Sequence, residues 1–421
     1  MRRLVALAVA LAVSAVPVVS SRATSAGDAQ PLRGVWVAGD LHVHTIYGHD
    51  TCITPLTAWN PDSPSRSARR PCADSYTVGF TPRQRLLEAK ERGLDFVALS
   101  DHNNVLNQTD PAVLSWLRAH PGFLEIPAYE NSQPGHVQML GARSCYDNNG
   151  PVAGSRIRCD ELVTDRSGVG ETELANALRA AGGVFQINHP SDMNWLSAYG
   201  YSVVPDTVEV WNIGPWAYQP PFPASNDNDF SLNWYDGFLR LGYQVGVTGG
   251  SDTHWVTTDA VQGVGEPTTW VYVTNRTVQG VLDGLRAHRT FVSALPPTAH
   301  GAQLFLESDA DHNGTYEGMA GSVTSPTAAF RVRAVGLSAG SALRIVTDEG
   351  AAQVLMTSPS YTFRLGSGRV PGARQFVRVE LLRPDARGQR AEACDSGVGS
   401  RTTMCRDRLA MSALTSPIFL S

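Results

Sequence analysis

The sequence predicts an α/β fold, with a mostly parallel sheet closed into a barrel, followed by an all-β domain. Between residues 33 and 295, short segments rich in Val, Ile, Leu and Phe alternate with segments of helical periodicity. This alternation is typical of parallel strands joined by helices, and the number of units suits a barrel. After Pro296 and Pro297, short alternating strands are separated by turn residues. That pattern predicts a β-sandwich over residues 298–421.

The first 26 residues have the order of a secretory signal peptide. A basic start precedes an apolar run over residues 4–19, and small residues follow it up to Ala26. A membrane anchor is the alternative, but the run is short for a membrane span and leads into a site of the cleavage type. We therefore expect a signal peptide over residues 1–26 and a secreted protein.

The strands and helices of the first domain follow from local patterns. Seven segments have the apolar character of buried strands: GVWVAGDLHVHT, LDFVALSDHN, FLEIPAYEN, HVQMLGA, GGVFQINHP, DTVEVWNIG and YQVGVTGGSDTH. Five segments between or after them have helical patterns: TPRQRLLEAKERG, DPAVLSWLRAH, ETELANALRAAGG, FSLNWYDGFLRLG and TVQGVLDGLRAHR. Two helices open with Thr-Pro or Asp-Pro, a cap followed by proline in the first turn. Three run into Gly, the usual end of a helix.

Six cysteines fall in three local couples, each flanking a polar loop. Fifteen connectivities are possible, and neighbour pairing is the simplest. These couples are Cys52 with Cys72, Cys145 with Cys159, and Cys394 with Cys405. Disulfides of this kind agree with export, and no couple has the CxxC spacing that is typical of redox and cysteine zinc sites.

The formal net charge is −5, and 42% of the residues are hydrophobic. This balance favours neither nucleic acid nor an anionic membrane as a partner. We therefore expect no nucleic acid and no membrane as a partner.

Histidines and carboxylates gather where the predicted strands end. They are His42, His44, His49, Asp101, His102, Glu130, His136, His189, Asp252 and His254. In a parallel barrel the ends of the strands meet at one rim, and residues i and i+2 of HxH or DxH lie on the same face of a strand. A single one of these motifs is weak, because a lone histidine at a strand end is more often structural. Their coincidence predicts a multinuclear site for Zn, Mn or Fe.

As a set, DLHVHT, ALSDHNN, PAYEN with GHVQMLG, INHP and GSDTH resemble the successive motifs of the PHP (polymerase and histidinol phosphatase) superfamily. The resemblance covers about residues 35–295 and implies a distorted (β/α)7 TIM-like barrel, assigned here to residues 33–295, with two or three divalent ions. The signal peptide, VEVWN and the terminal ALTSPIFLS are similar to the secreted CehA/McbA-like branch, whose members often carry a β-sandwich after the barrel.

The resemblance also implies a ligand set. It comprises His42, His44, His49, His102, Glu130, His136, His189, Asp252 and His254. The family usually has Asp at the position of His49, so Asp50 remains the alternative ligand there.

The function that this resemblance implies is hydrolysis of a phosphate ester by a hydroxide that bridges the ions, so the implied partner is a small-molecule ester substrate. Glu130 would bridge two ions, and Asp252 would bind one ion and orient or deprotonate the water. Asp101 and Arg289 are weaker candidates for proton transfer and oxyanion binding, with structural roles as the alternative. Hydrolysis of a carbamate, amide or carboxylic ester at the same site is one alternative function. A secreted binding module that retains metal without turnover is the other.

Other residues near the motifs have no assigned ligand role. Glu209 and Asn212 point from a strand end towards the same rim. Four tryptophans beside the motifs are expected either to form an apolar substrate wall or to pack in the core: Trp195, Trp211, Trp216 and Trp255.

A second metal motif lies in the C-terminal half. Asp309, Asp311 and Asn313 begin the DADHNG pattern of a calcium loop. The Glu expected six residues after Gly314 is Ala320. We therefore favour a tight β-turn here and keep a calcium site as the alternative.

Overall fold

The predicted apolar segments form buried strands in the first part of the chain. The computed structural model describes residues 33–48, 80–132, 135–191, 195–214, 216, 228–254, 263–366, 375–384 and 409–421. The strands up to residue 295 are β1 (Val35–Val43), β2 (Phe96–Leu99), β3 (Leu124–Glu125), β4 (Glu130–Asn131), β5 (Val137–Leu140), β6 (Tyr146–Asp147), β7 (Gly150–Pro151), β8 (Val184–Ile187), β9 (Thr207–Asn212), β10 (Gly246–Gly250), β11 (Thr268–Val273) and β12 (Thr290–Ser293).

The remaining described chain is almost entirely strand and turn, as its alternating pattern predicts. Its strands are β13 (Gln303–Asp309), β14 (Gly318–Met319), β15 (Val323–Thr324), β16 (Ala329–Val335), β17 (Ala342–Thr347), β18 (Gly350–Leu355), β19 (Ser360–Arg364), β20 (Gln375–Pro384), β21 (Leu409–Thr415) and β22 (Ile418–Leu420).

All five predicted helices are present, together with two short helices that the sequence patterns do not predict, Cys159–Leu162 and Trp195–Tyr199. In chain order the described helices are α1 (Pro82–Glu91), α2 (Pro111–Ala119), α3 (Cys159–Leu162), α4 (Gly168–Ala180), α5 (Trp195–Tyr199), α6 (Asn228–Arg240) and α7 (Val278–Arg286). Thr81 caps α1 and Asp110 caps α2, each through its side chain and each followed by proline. None of the described helices is long and apolar enough to cross a membrane.

The strands that carry the histidine motifs fall into two sheets. In the five-stranded sheet the order is β10-β9-β8-β5-β4. The eleven-stranded sheet has the path β15-β22-β20-β21-β12-β11-β1-β2-β3, with β17 paired to β20 and β18 to β17. Two isolated parallel bridges join the sheets, Val43 with Thr253 and His102 with Glu130. Both bridges lie at the motif-bearing strand ends.

The fold is therefore mixed α/β, and the closed, mostly parallel barrel is not confirmed. The pairs β1–β2, β2–β3, β8–β9 and β9–β10 are parallel. The pairs β1–β11, β4–β5 and β5–β8 are antiparallel. Periodicity identifies a strand but carries no information on its direction, which explains this difference.

The C-terminal strands form two layers, and one of them belongs to the large sheet. A four-stranded sheet, β14-β13-β16-β19, shares a buried core with β17, β20, β21 and β22. Strand β21 pairs with β12, with Thr415 opposite Phe291. This ladder crosses the predicted boundary between residues 295 and 298, so an independent β-sandwich is not confirmed. Residues Arg33–Ser421 group as one compact unit.

One predicted disulfide is present, between Cys145 and Cys159. It closes the segment that holds the β6–β7 hairpin and ends at α3. The other two predicted pairs, the signal peptide, His49, Asp50 and Trp255 lie outside the described residues.

Candidate metal centre

Eight of the nine predicted metal ligands lie together in the described structure. They occur at the ends of β1, β2, β4, β8 and β10 and at the start of β5, and they form overlapping groups with donor atoms within 4.8 Å of one another. These residues are His42, His44, His102, Glu130, His136, His189, Asp252 and His254. The ninth, His49, is outside the described residues.

Strands β1 and β10 bring the first and last motifs into contact. His42 and His44 are two residues apart and therefore share one face of β1 and its extension. The N–H of Asp252 donates to the carbonyl of His42 at 2.8 Å, and the N–H of His44 donates to the carbonyl of Thr253 at 3.1 Å. These backbone bonds fix the two motifs side by side.

Gly250 permits this close approach. A Cβ added at Gly250 would lie 2.4 Å from His42 Cβ and 2.4 Å from Glu209 Oε1. Since real Cβ atoms do not approach so closely, any larger residue would displace His42 or Glu209.

Four side chains form a compact donor group at the centre of the site. His42 Nε2 lies 3.2 Å from Glu130 Oε2 and 3.2 Å from Asp252 Oδ1. His44 Nε2 lies 3.3 Å and 3.1 Å from the same two oxygens, and 3.0 Å from His42 Nε2. Donors on a tetrahedral transition-metal ion, with bonds of ~2.0–2.1 Å, stand ~3.3 Å apart. The spacing and the nitrogen-oxygen chemistry of the group therefore fit a divalent ion.

Glu130 connects this donor group to further histidines. Its Oε2 faces His42 and His44, and also lies 3.3 Å from His102 Nδ1. Its Oε1 lies 3.0 Å from His136 Nδ1 and 3.2 Å from His189 Nε2. A carboxylate whose two oxygens face different sets of imidazoles is arranged to bridge two ions. This geometry agrees with the bridging role that the motif resemblance implies.

Two more groups extend the site on either side. His44, His102 and His254 form one group, and the rings of His44 and His254 stack with centroids 3.9 Å apart. His42, His189 and Glu209 form the other. Overlapping groups of three and four donors can hold more than one ion.

Glu209 belongs to the candidate site but is absent from the predicted ligand set. Its Oε1 lies 3.0 Å from His42 Nδ1. Its Oε2 accepts hydrogen bonds from the His189 N–H at 3.2 Å and from Asn212 Nδ2 at 2.9 Å. Glu209 therefore orients the imidazole of His42, as carboxylates behind metal-binding histidines commonly do. The sequence signal for it is a carboxylate within the buried strand β9.

The backbone carries strain at two of the predicted ligands. His189 has φ 21° and Asp252 has φ 49°, both in the left-handed region that residues other than glycine rarely adopt. Such conformations concentrate at functional sites, where surrounding contacts hold them in place. Here the Asp252 N–H is held by His42 and the His189 N–H by Glu209.

Close opposite charges shift the pKa values in the centre in opposite directions. Burial by itself would lower the pKa of His44, but Asp252 and Glu130 raise it to about 10. Burial by itself would raise the pKa of Glu130, but His42 and neighbouring histidines hold that pKa well below its usual range. The pKa of Asp252 is lowered for the same reason. The carboxylates therefore stay ionised at neutral pH and favour positive charge between the donor atoms.

Asp101 supports the turn after His44 and does not face the donor group. Its Oδ1 accepts from the Thr45 N–H at 2.6 Å, and its Oδ2 accepts from Thr45 Oγ1 at 2.8 Å and from Asn107 Nδ2 at 3.1 Å. Burial raises the pKa of Asp101. Because both oxygens are engaged, this arrangement favours the structural role over proton transfer.

Arg289 lies away from the centre. Its carbonyl accepts a hydrogen bond from the Tyr272 N–H, and Tyr272 pairs with Trp36 at the start of β1. His42 is six residues further along that strand, which corresponds to ~20 Å at ~3.3 Å per residue. The structure therefore does not bring Arg289 to the site, and the predicted oxyanion-binding role is not supported.

The tryptophans beside the motifs pack in the core. Trp195, Trp211 and Trp216 are at most 5% exposed and belong to one buried cluster. The indole N–H of Trp211 donates to the carbonyl of Gly214 at 2.8 Å. These three tryptophans therefore pack in the core and do not form the substrate wall that was the other expectation.

Comparisons with known proteins give little further information. No protein family model matches the chain, and no curated protein matches it. One solved structure with some similarity is a two-domain protein from Bacteroides vulgatus that contains a predicted PHP-like metal-dependent phosphoesterase. It has 13% identity and a TM-score of 0.39, over 95% of this chain and 99% of that chain. Another is an amidohydrolase from Chromobacterium violaceum with bound sulfate and no metal, with 14% identity and a TM-score of 0.30, over 53% of this chain and 90% of that chain. At these values neither similarity carries an argument about this chain.

Proposed function

We propose that this chain is a metal-dependent hydrolase of the PHP superfamily that cleaves phosphate esters, with phosphodiesters as the favoured class. The observation that carries the proposal is the position of Glu130. Its two oxygens face separate sets of histidines within 3.0–3.3 Å. A site for one structural ion has no need of such a shared carboxylate, whereas hydrolytic sites with two ions use one to set the distance between them.

The residues fit the group that this reaction requires. His42, His44, Glu130 and Asp252 would hold one ion, and His102, Glu130 and His136 would hold another. Divalent ions bound there would supply Lewis-acid charge and would lower the pKa of coordinated water towards neutrality. Zn, Mn and Fe all suit this combination of imidazole and carboxylate.

The side chains of the centre differ in their exposure to solvent. The side chains of His42, His44 and Glu130 are 0% exposed, whereas those of Asp252, His254 and His136 are 12%, 11% and 19% exposed. Substrate would therefore approach along the partly exposed residues. Asp252 is the carboxylate on that side, and Asn212 Nδ2 donates to its Oδ2 at 3.2 Å. This bond orients Asp252 to hold an incoming water or to accept its proton.

The charges around the site favour a substrate of low negative charge. Arg85 is 1% exposed, and its guanidinium donates to the carbonyls of His44 at 3.0 Å and Thr253 at 3.2 Å. The guanidinium of Arg85 therefore binds the backbone behind the centre and does not face the side from which substrate would approach. A phosphodiester carries one negative charge and suits this environment better than a monoester. The same observation makes a carbamate or carboxylic ester the second candidate substrate class.

A secreted location forms part of the proposal. The Cys145–Cys159 disulfide supports it, because disulfides persist mainly in oxidising compartments outside the cytosol.

A panel of chromogenic substrates tests the reaction. The protein is stripped with a chelator, reloaded with Mn or Zn, and assayed on bis-p-nitrophenyl phosphate, p-nitrophenyl phosphate, p-nitrophenyl acetate and an aryl carbamate. We expect the diester to give the highest kcat/KM and His42→Ala with Glu130→Ala to abolish turnover. Glu307→Gln, a carboxylate of β13 that pairs with Arg331, serves as the control variant. Highest activity on the acetate or carbamate would replace the phosphoester assignment. Metal binding without turnover of any substrate would favour a binding module.

A further inference from the structure

A second cluster of carboxylates lies far along the chain from the metal centre, in the connection between β13 and β14. Asp309, Asp311 and Glu317 have carboxylate oxygens that all lie within 4.8 Å of one another. In the described structure no lysine, arginine or histidine forms an ion pair with them, and the donors that reach them are the uncharged N–H groups of the loop itself. Three such carboxylates repel one another unless a cation lies between them.

Buried oxygens without hydrogen bonds point to the same place. Asp309 is 3% exposed, and its Oδ1 is buried with no hydrogen-bond partner among the described residues. The same is true of Glu317 Oε2. An ionised oxygen that is removed from water and left without a partner is destabilising. A bound cation would remove this destabilisation for both residues.

The loop presents these oxygens in an order known from calcium-binding loops. Asp309, Asp311 and Asn313 occupy the first, third and fifth positions, and Glu317 occupies the ninth. Gly314, at the sixth position, has φ 87°, and its N–H donates to Asp309 Oδ2 at 2.9 Å. The twelfth position of such loops normally supplies a bidentate Glu, but here it is Ala320, which is apolar and 2% exposed. The structure brings Glu317 to the cluster instead.

We propose that the loop 309–317 is a calcium site, with the carboxylates of Asp309, Asp311 and Glu317 as ligands. Calcium suits it because all the donors are oxygens, whereas the imidazole-rich centre suits transition metals. The Ala310 N–H donates to Glu317 Oε1 at 3.1 Å, which already holds the two ends of the loop together. Calcium would complete this closure and fix the turn that joins β13 to β14. With three carboxylates and no twelfth-position Glu, we expect a dissociation constant on the order of 10⁻⁴–10⁻³ M.

Equilibrium dialysis of the full chain against radioactive calcium tests the site. The protein keeps its transition-metal complement, and calcium is supplied at about 1 mM, near the expected dissociation constant. We expect wild type to bind calcium in this range with a limiting stoichiometry of one ion. The double variant Asp311→Asn, Glu317→Gln should lose this binding. Asp309 is left intact because its burial makes a substitution there a risk to folding.

Two further variants make the outcome decisive. Asn313→Asp adds an exposed carboxylate beside Asp311, so it should tighten calcium binding at least several-fold, a gain that misfolding cannot produce. Glu349→Gln removes an exposed carboxylate from the β17–β18 turn and should leave binding unchanged. No calcium binding by wild type, binding that survives the double variant, or binding lost in Glu349→Gln would each overturn the proposal.

Discussion

His42 contacts Glu209 through Nδ1 at 3.0 Å, so that its Nε2 is held 3.2 Å from both Glu130 and Asp252. One nitrogen of the ring is thus fixed by a carboxylate behind it, and the other is presented to the donor group. The tautomer and the direction of the His42 ring are therefore set by Glu209, which lies outside the donor group formed by His42, His44, Glu130 and Asp252.

The first prediction concerns Glu209→Gln, which keeps the size of the side chain and removes its charge. We expect metal affinity to fall by ~10–100-fold, because substitutions behind a metal-binding histidine typically have this effect. Competition with a chromophoric chelator measures the affinity. Glu171→Gln removes a buried carboxylate from α4 and should leave the affinity unchanged. Equal metal affinities for wild type and Glu209→Gln would contradict the orienting role.

The second prediction separates the two roles of Asp101. In Asp101→Ala, Thr45 and Asn107 lose their acceptor, so the free energy of unfolding should fall by about 2–4 kcal/mol. Asp101→Asn keeps one acceptor oxygen, so its free energy of unfolding should fall by less. Denaturant titration measures the stability, and kcat is measured on the metal-loaded protein. A proton-transfer residue would instead lose ~10²–10⁴-fold in kcat, with a changed pH profile, in the Asn variant.

The third prediction concerns the buried ion pair that joins α6 to β20. Arg378 Nε and Nη2 each lie 2.8 Å from an oxygen of Asp236, and both side chains are 0% exposed. Arg378 Nη1 also lies 2.7 Å from Oε1 of the buried Glu380, so Arg378→Ala leaves two buried carboxylates without this partner and should cost about 3–5 kcal/mol in unfolding free energy. Arg331→Ala breaks a pair with Glu307 in which the arginine is 32% exposed, and should cost less than ~1 kcal/mol. Equal losses of unfolding free energy in the two variants would show that the buried ion pair contributes no more to stability than the exposed one.

The fourth prediction is a pH dependence of stability that Glu171 causes. Burial raises the pKa of Glu171 from 4.5 to about 8. Between these values the folded state binds more protons than the unfolded state, so stability falls as the pH rises. Glu171→Gln removes this contribution. The stability of the variant relative to wild type should therefore grow from about pH 5 to about pH 8, by at most ~1.4 kcal/mol per pH unit. A difference that is constant over this range would contradict the raised pKa.

Much of the metal centre could be predicted because its motifs are local. HxH, DxH and the strand-end Glu130 each follow a short apolar segment, and a pattern of two residues already fixes which side chains share a face. His136 is instructive, because it precedes β5 and does not follow it. It reaches the same rim since β5 is antiparallel to β8, a direction that the sequence pattern does not encode.

The relationships that sequence patterns miss are those between distant segments. Glu209 and His42 are 167 residues apart, and no local spacing marks the carboxylate as the partner of that imidazole. The β12–β21 ladder likewise joins segments more than 100 residues apart. Pairing of this kind depends on the whole sheet and not on local sequence. The change in sequence pattern near residue 296 therefore predicts a separate domain, whereas the hydrogen bonds of the β12–β21 ladder join the two parts of the chain.

The content of transition metal in wild type and Glu130→Gln tests the central claim most directly. Both proteins are loaded with Zn or Mn, dialysed, and analysed by elemental mass spectrometry, with Glu171→Gln as the matched control. We predict that wild type and the control each retain at least two ions per chain and that Glu130→Gln retains at least one fewer. Retention of one ion or none by wild type, or equal retention by Glu130→Gln, would contradict a centre bridged by Glu130.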